Sequence, residues 1–88
     1  MNRNASDIQA QLRQYITDNF LYLRPGLELN DEDSLLEAGV IDSLGFVELV
    51  EEVQSRFSIP VKDVDITEEN FGSITSIARY VQERRTAA

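Results

Sequence analysis

Ser43 is the residue of this chain best placed to take part in chemistry, because it stands at the predicted start of a helix, directly after a capping residue, Asp42. A helix N-terminus offers unpaired backbone amides and a partial positive charge, so a phosphate ester on a serine there is electrostatically favoured. The chain has no histidine and no cysteine, and it supplies no evident base to activate the hydroxyl. Ser43 is therefore a candidate acceptor for a group that another enzyme transfers, although a serine at a helix start is more commonly a simple cap.

The acidic loops are weaker candidates for chemistry. Asp31-Glu32-Asp33 and Asp63-Val64-Asp65 each begin like a calcium-binding loop, but the position that needs glycine holds Leu36 in the first and Glu68 in the second. The absence of histidine and cysteine excludes catalytic triads based on histidine, thiolate nucleophiles and ordinary zinc sites. We therefore predict no metal site and no catalytic residue, and we expect that the protein is not an enzyme.

The charge of the chain indicates the kind of partner it can have. The 88 residues carry a net charge of −8, and nine acidic residues with no base among them lie between Arg24 and Arg56. Such a charge repels nucleic acid and anionic membranes, and it suits either a basic protein partner or a merely solvated face. No apolar run is long enough to span a membrane and no apolar leader begins the chain, so the predicted location is the cytoplasm, with no membrane partner.

The spacing of apolar residues predicts a small all-α bundle of three principal helices and one short helix, with a long first loop. The helices are expected over about residues 6–20, from 42 or 43 to 57, 68–71 and 73–84. Predicted N-caps are Asp42, Thr67 and Ser73, and Ser6 with Gln9 forms a capping-box pattern. We expect one monomeric domain over residues 1–88, with its core within about 6–84 and flexible ends.

Apolar side chains at helical spacing define the predicted core. The long loop over residues 24–41 is expected to be pinned to this core, since a connection of that length is unusual unless it packs or works. The residues expected to face the core are Ile8, Leu12, Tyr15, Ile16, Phe46, Leu49, Val50, Val53, Phe57, Ile74, Ile77, Ala78 and Val81, with Leu44 and Val47 at the flanks. The expected loop anchors are Leu27, Leu29, Leu35, Leu36, Val40 and Ile41.

The segment Gly39-Val40-Ile41-Asp42-Ser43-Leu44, followed by Val47-Glu48-Leu49-Val50, resembles the signature of acyl and peptidyl carrier proteins. The resemblance extends from Ile8 to Val81 and includes the break at Phe57-Ser58-Ile59-Pro60. It implies an acyl-carrier-like bundle in which Ser43 carries a covalent 4′-phosphopantetheine arm derived from coenzyme A, with Asp42 and Leu44 as motif neighbours.

The resemblance also implies partners and a mode of action. A phosphopantetheinyl transferase would attach the arm, and the terminal thiol of the arm would hold an acyl group as a thioester for delivery to partner enzymes. Asp42, Glu48, Glu51 and Glu52 would form the face read by the basic surfaces of the loading and processing enzymes. The apolar gap in which this family shelters its chains would involve Phe46, Val50, Ile66 and Phe71.

Departures from the family pattern reduce the number of pathways in which the protein is expected to act. Gly45 and Phe46 follow the motif where carriers of primary fatty acid synthesis usually have an acidic and a small polar residue, and Glu51 replaces a frequent methionine. Gly45 is expected to leave bare backbone beside the arm. These features favour a free-standing acyl carrier of a dedicated fatty acid, polyketide or related pathway. The alternatives are an aminoacyl or peptidyl carrier loaded by an adenylating enzyme and an unmodified acidic helical adaptor.

Overall fold

Four α-helices and two 3₁₀ turns make up the structure, a computed structural model that describes the backbone of residues 5–87 and the side chains of residues 7–85. The helices are α1 (Ala5–Asn19), α2 (Ser43–Phe57), α3 (Glu68–Phe71) and α4 (Ile74–Ala87), and the 3₁₀ turns are Leu21–Leu23 and Asp63–Asp65. The described residues contain no strand, which confirms the predicted all-α bundle of three principal helices and one short one. None of the helices described is long and apolar enough to cross a membrane.

Side-chain caps set the starts of the later helices. Asp42 precedes α2 and its Oδ1 accepts from the amide of Gly45 at 2.8 Å. Thr67 caps α3 by accepting from the amide of Asn70, and Ser73 caps α4 by accepting from that of Ser76. These three predicted caps are confirmed, because each depends only on residues within one turn of it.

The outer ends of the first and last helices differ from the prediction. Helix α1 begins at Ala5, before the predicted cap Ser6, whose side chain lies outside the described residues. Gln9, expected to complete the capping box, instead donates from Nε2 to Thr75 Oγ1 on α4 at 3.4 Å. Helix α4 continues to Ala87, past the predicted end near residue 84. The ends outside about residues 6–84 were predicted to be flexible; of these, residue 5 belongs to α1, residues 85–87 belong to α4, and residues 1–4 and 88 lie outside the described residues.

The core lies where α1 packs on α4 and the apolar face of α2 meets them. The buried apolar residues are Ile8, Leu12, Ile16, Leu29, Leu35, Val40, Ile41, Leu49, Val50, Val53, Phe57, Ile59, Phe71, Ile74, Ile77, Ala78, Tyr80 and Val81. Tyr15, Leu27, Phe46 and Ile66 are partly buried against this core. The predicted loop anchor Leu36 is exposed, because the turn that it shares with Leu35 points only the latter inward.

The long connection between α1 and α2 is held on both sides. Arg13 of α1 donates from Nη2 to the carbonyl of Leu29 at 2.7 Å and to Asp31 Oδ1 at 2.6 Å. On the other side, the amide of Leu35 donates to the carbonyl of Gly72, and the amide of Thr75 donates to the carbonyl of Asp31. The connection is therefore a packed part of the domain, and it delivers the chain to the start of α2 in a defined position.

Asp65 ties the second 3₁₀ turn to α4. Its Oδ2 accepts from the hydroxyl of Tyr80 at 2.9 Å and from Nη2 of Arg84 at 2.5 Å. The hydrogen bond from Tyr80, followed by that from Arg84, lowers the pKa of the Asp65 carboxyl below its usual value. The guanidinium of Arg84 also lies 5.1 Å from the centroid of the Tyr80 ring.

Candidate functional site

Ser43 is the first residue of α2, and its side chain is exposed to solvent. The preceding residue, Asp42, has extended backbone angles and directs its carboxylate to the amide of Gly45, while its carbonyl accepts from the amide of Phe46. The carboxylate of Asp42 is thus committed to the cap and leaves the Ser43 hydroxyl accessible. A group esterified to that hydroxyl meets the positive end of the helix dipole and needs no space within the core.

Gly45 allows two apolar side chains to approach the first turn of α2. It is buried, and a β-carbon built on it would lie 3.1 Å from Cε1 of Phe20 and 3.2 Å from Cβ of Ile41. The sequence led us to expect bare backbone beside Ser43. In the structure Phe20 and Ile41 cover that backbone, because Gly45 has no side chain to hold them away.

An open groove of about 560 Å³ lies beside Ser43. One wall comes from the end of α1 and the 3₁₀ turn after it, a second from the turn before α2, and a third from the first turns of α2 itself. The residues that line it are Asn19, Phe20, Leu23, Arg24, Gly39, Val40, Ile41, Asp42, Leu44, Gly45 and Glu48. The structure thus brings three of the predicted site residues, Asp42, Leu44 and Glu48, to one concave surface.

The predicted acidic partner face divides into two parts. Glu48 and Glu51 are exposed on α2, and Glu48 also lines the groove. Glu52 is partly buried and accepts from Arg56 one turn later, at 2.7 Å from Nη2 and 2.9 Å from Nε. This ion pair offsets much of the charge of Glu52, so Glu48 and Glu51, together with the exposed Asp42, carry the exposed negative charge of the face.

Glu52 and Glu48 also act on the ring of Tyr15 in α1. Burial is the main cause that raises the pKa of the Tyr15 phenol, and the carboxylates of Glu52 and Glu48 raise it further. The guanidinium of Arg56 lies 5.7 Å from the centroid of the same ring. The carboxylates on the acidic side of α2 therefore interact electrostatically with Tyr15 in α1.

Three aliphatic side chains in the region of Ser43 are exposed to solvent. Leu44 is 68% exposed and Val47 is 52% exposed, although the sequence pattern put both at the flanks of the core stripe. Leu23, on the 3₁₀ turn that lines the groove, is 67% exposed. Exposed aliphatic residues grouped in this way are typical of a surface that contacts another molecule.

The residues predicted to line an apolar gap lie elsewhere. Val50 and Phe71 are buried in the core, and Phe46 and Ile66 pack against it. None of the four lines the groove beside Ser43. The groove residues before α2 were missed by the sequence reasoning, and the one signal for them was Arg24, an isolated base at the start of an acidic stretch.

Nothing in the described part of the chain gives the site catalytic machinery. Groups of three or more carboxylates that could hold a metal ion do not occur among the described residues. Ser43 can accept a group and present it, since it is exposed and its helix is capped independently of it.

Comparison with known proteins identifies the family. Residues 10–81 match the family model described as "Phosphopantetheine attachment site". D-alanyl carrier proteins of Streptococcus pyogenes serotypes M5 (strain Manfredo), M49 (strain NZ131) and M1 are each 39% identical to this chain over 67 residues, which cover 76% of this chain and 84% of each relative. The chain therefore belongs to the phosphopantetheine-binding carrier proteins, which are not themselves catalytic and which carry 4′-phosphopantetheine as a covalently attached cofactor.

Proposed function

We propose that this protein is an aminoacyl carrier that bears its 4′-phosphopantetheine arm on Ser43 and transports an activated amino acid, with D-alanine as the first candidate. The observation that carries the attachment site is the exposed Ser43 hydroxyl at the start of α2, above a cap formed by Asp42 alone. The cargo is supported by the D-alanyl carrier proteins that are 39% identical to this chain.

Different residues of this chain hold the arm, position it and attract the partner enzymes. Ser43 Oγ holds the phosphodiester, and Asp42 fixes the first turn of the helix from which it projects. The exposed carboxylates of Glu48 and Glu51 attract basic surfaces of the transferase and of an adenylating enzyme. When bound, the cofactor supplies a terminal thiol that holds the cargo as a thioester, which a chain without cysteine cannot do by itself.

The surroundings of Ser43 suit a small polar cargo better than a long fatty chain. The groove beside Ser43 is open to solvent and does not enclose a chain, although most of its exposed lining is apolar and its polar members are Asn19, Arg24, Asp42 and Glu48. A long alkyl chain gains free energy only when it is removed from water, at roughly 0.8 kcal/mol for each buried methylene. An aminoacyl group carries a cationic amine, which the net charge of −8 attracts.

Mass spectrometry of the intact protein tests the proposal. Incubation with coenzyme A, magnesium and a broad-specificity transferase should add one arm to the wild-type chain and none to Ser43→Ala. Ser55→Ala removes an exposed serine from the same helix and should leave the modification unchanged. Because Asp42 caps α2 without help from Ser43, both variants should keep the helical circular dichroism spectrum of the wild type.

The cargo is tested on protein isolated from its native cell. An added alanyl mass on the arm, released and identified as the D-enantiomer by chiral chromatography, would support the D-alanyl assignment. A fatty acyl or polyketide mass would favour the acyl carrier of a dedicated pathway instead. A native protein with no arm, and a purified one that several transferases leave unmodified, would favour the unmodified adaptor.

A further inference from the structure

Arg24 is a cation that has no ion-pair partner among the described residues, and it lies at the groove. It follows the first 3₁₀ turn, is exposed, and lines the groove that begins beside Ser43. Its Nη1 and Nη2 lie 3.6 and 3.8 Å from the position that a β-carbon on Gly39 would take. Gly39 has a φ of +76°, so the turn before α2 favours a glycine, and the guanidinium of Arg24 lies beside that turn.

Within the described residues, the unpaired state of Arg24 contrasts with that of three other arginines and is shared by Arg79 and Arg85, which likewise form no ion pair. Arg13, Arg56 and Arg84 each form an ion pair with a carboxylate. Within the described residues, the guanidinium of Arg24 has neither an ion pair nor a hydrogen bond. It is also the only base between Arg13 and Arg56, in a part of the chain where carboxylates are abundant.

The groove combines the cation of Arg24 with an apolar part. Phe20, Val40 and Ile41 provide apolar lining, and Leu44 with the carboxylates of Asp42 and Glu48 lines the side of the groove next to Ser43. A 4′-phosphopantetheine arm has an anionic phosphodiester, a dimethyl carbon and two amides. The chemistry of the groove matches that of the arm, because it offers a cation for the phosphodiester and apolar surface for the methyl groups.

We propose that this groove is a docking site for the protein's own 4′-phosphopantetheine arm when no enzyme holds it, with Arg24 paired to the phosphodiester. The inference rests on the proposed attachment of the arm at Ser43. A guanidinium donates two parallel hydrogen bonds to phosphate oxygens and remains charged at any physiological pH. Because the pair is exposed to solvent, the docked arm exchanges readily with a free one and stays available to partner enzymes.

The experiment compares backbone amide chemical shifts of the unmodified protein with those of the protein carrying the arm with a free thiol. Intact mass first establishes that the arm is present and that Ser43→Ala lacks it. We expect arm-dependent shifts at Leu23, Arg24, Gly39 and Val40, as well as at the immediate neighbours of Ser43. In Arg24→Gln the ratio of docked to free arm should fall roughly two- to fivefold, the change that one exposed charge pair typically makes.

Matched variants separate this pairing from a general effect of charge. Arg24→Lys keeps the cation and should retain part of the arm-dependent shifts. Arg79→Gln removes one positive charge from an exposed position on α4 and should leave them as in the wild type. Added salt, which reduces the screening length from about 30 Å at 0.01 M to about 8 Å at 0.15 M, should weaken docking in the wild-type protein.

The outcomes distinguish the docking site from the attachment site. If mass spectrometry finds no arm on Ser43, the proposed function fails before docking is tested. If the arm is present but its effects stay within residues 42–45, or persist unchanged in Arg24→Gln, the docking proposal is wrong and the attachment stands. If Arg24→Gln does not fold, the salt dependence of the wild-type shifts at Leu23 and Gly39 decides, and shifts that salt does not alter overturn the proposal.

Discussion

The ring of Phe20 lies against the backbone of Gly45, where a β-carbon would be only 3.1 Å from Cε1 of the ring. This contact joins the segment after α1 to the first turn of α2, although the two are separated in sequence by the whole long connection. Tyr15 contacts the ring of Phe20 in an edge-on arrangement, with 6.1 Å between the centroids. One wall of the groove beside Ser43 is therefore positioned by the absence of a side chain at Gly45.

Gly45→Val should destabilise the protein and displace Phe20. The added side chain would press on Phe20 and Ile41, and overpacking of this kind typically costs about 1–3 kcal/mol. The loss should appear in urea denaturation, and the ring resonances of Phe20 should shift. Gly26→Val is the matched control, because a β-carbon on Gly26 would meet no atom within 4 Å. Equal stability of the two variants would contradict the close packing at Gly45.

Asp42→Ala should lower the free energy of unfolding by about 1 kcal/mol, because it removes the acceptor of the Gly45 amide at the start of α2. Asp42→Asn keeps a capping oxygen at the same place and should lose much less. Urea denaturation of both variants measures the difference. A similar loss in both would indicate that the charge of Asp42, rather than its cap, stabilises the helix.

Glu48→Lys should reduce the kcat/KM of the phosphopantetheinyl transferase about two- to fivefold, the usual value of one rim charge pair. The effect should increase in the double variant with Glu51→Lys and diminish at high salt, because it acts mainly on the association rate. Glu52→Lys should affect recognition less directly, since Glu52 is already paired with Arg56. Glu83→Lys on α4 is the control for net charge. If it slows modification as much as Glu48→Lys, no defined face on α2 guides the transferase.

Asp65→Asn should lower Tm at neutral pH and have little effect in acid. The pKa of Asp65 is lower in the folded protein than in the unfolded chain, because Tyr80 and Arg84 donate to its carboxylate. Its contribution to stability is therefore present above the unfolded pKa of about 3.9 and is lost as the pH falls through the folded value.

Melting curves from neutral pH downwards test this dependence. The difference in Tm between wild type and Asp65→Asn should narrow as the pH falls below about 3.9. Asp63→Asn removes a carboxylate from the same 3₁₀ turn but neither bond to α4, and it serves as the control. A gap between wild type and Asp65→Asn that does not change with pH would show that geometry alone, and not charge, holds the turn.

Phe57→Ala should cost roughly 3–5 kcal/mol, as expected for a buried phenylalanine. Only 3% of Phe57 is exposed, and the guanidinium of Arg85 lies 5.5 Å from the centroid of its ring. Total stabilities are about 5–15 kcal/mol, so this loss consumes much of the margin. Leu36→Ala, at an exposed position, should change the stability by less than about 0.5 kcal/mol. Comparable losses in urea denaturation would contradict the assigned burial.

Features that depend on neighbouring residues could be predicted from the sequence. Asp42, Thr67 and Ser73 were recognised as caps, because a cap and the amide that it accepts from lie within three residues. The ion pair between Glu52 and Arg56 has the i, i+4 spacing of a helical pair and could have been recognised in the same way. Its omission overstated the charge of the predicted partner face.

Features that depend on packing between distant segments could not be predicted in this way. The exposure of Leu44 and Val47 depends on the orientation of α2 about its own axis relative to α1 and α4. The apolar stripe does not fix this orientation closely enough to decide whether residues at its edges are buried. The proximity of Arg24 to Gly39 depends on the left-handed turn at Gly39 and on the docking of the long connection. The motif Asp42-Ser43-Leu44 could be recognised from the sequence, whereas the groove beside it forms only when the chain folds.

The hydrogen bonds that anchor the long connection also govern when the site is completed during synthesis. Leu35 donates to the carbonyl of Gly72, and Asp31 accepts from the amide of Thr75. Neither hydrogen bond can form until these residues, far downstream of Ser43, have been synthesised. A chain still emerging from the ribosome has the motif Asp42-Ser43-Leu44 long before it has these anchors. An enzyme that recognised the folded connection together with Ser43 would therefore act only after Gly72 and Thr75 have emerged.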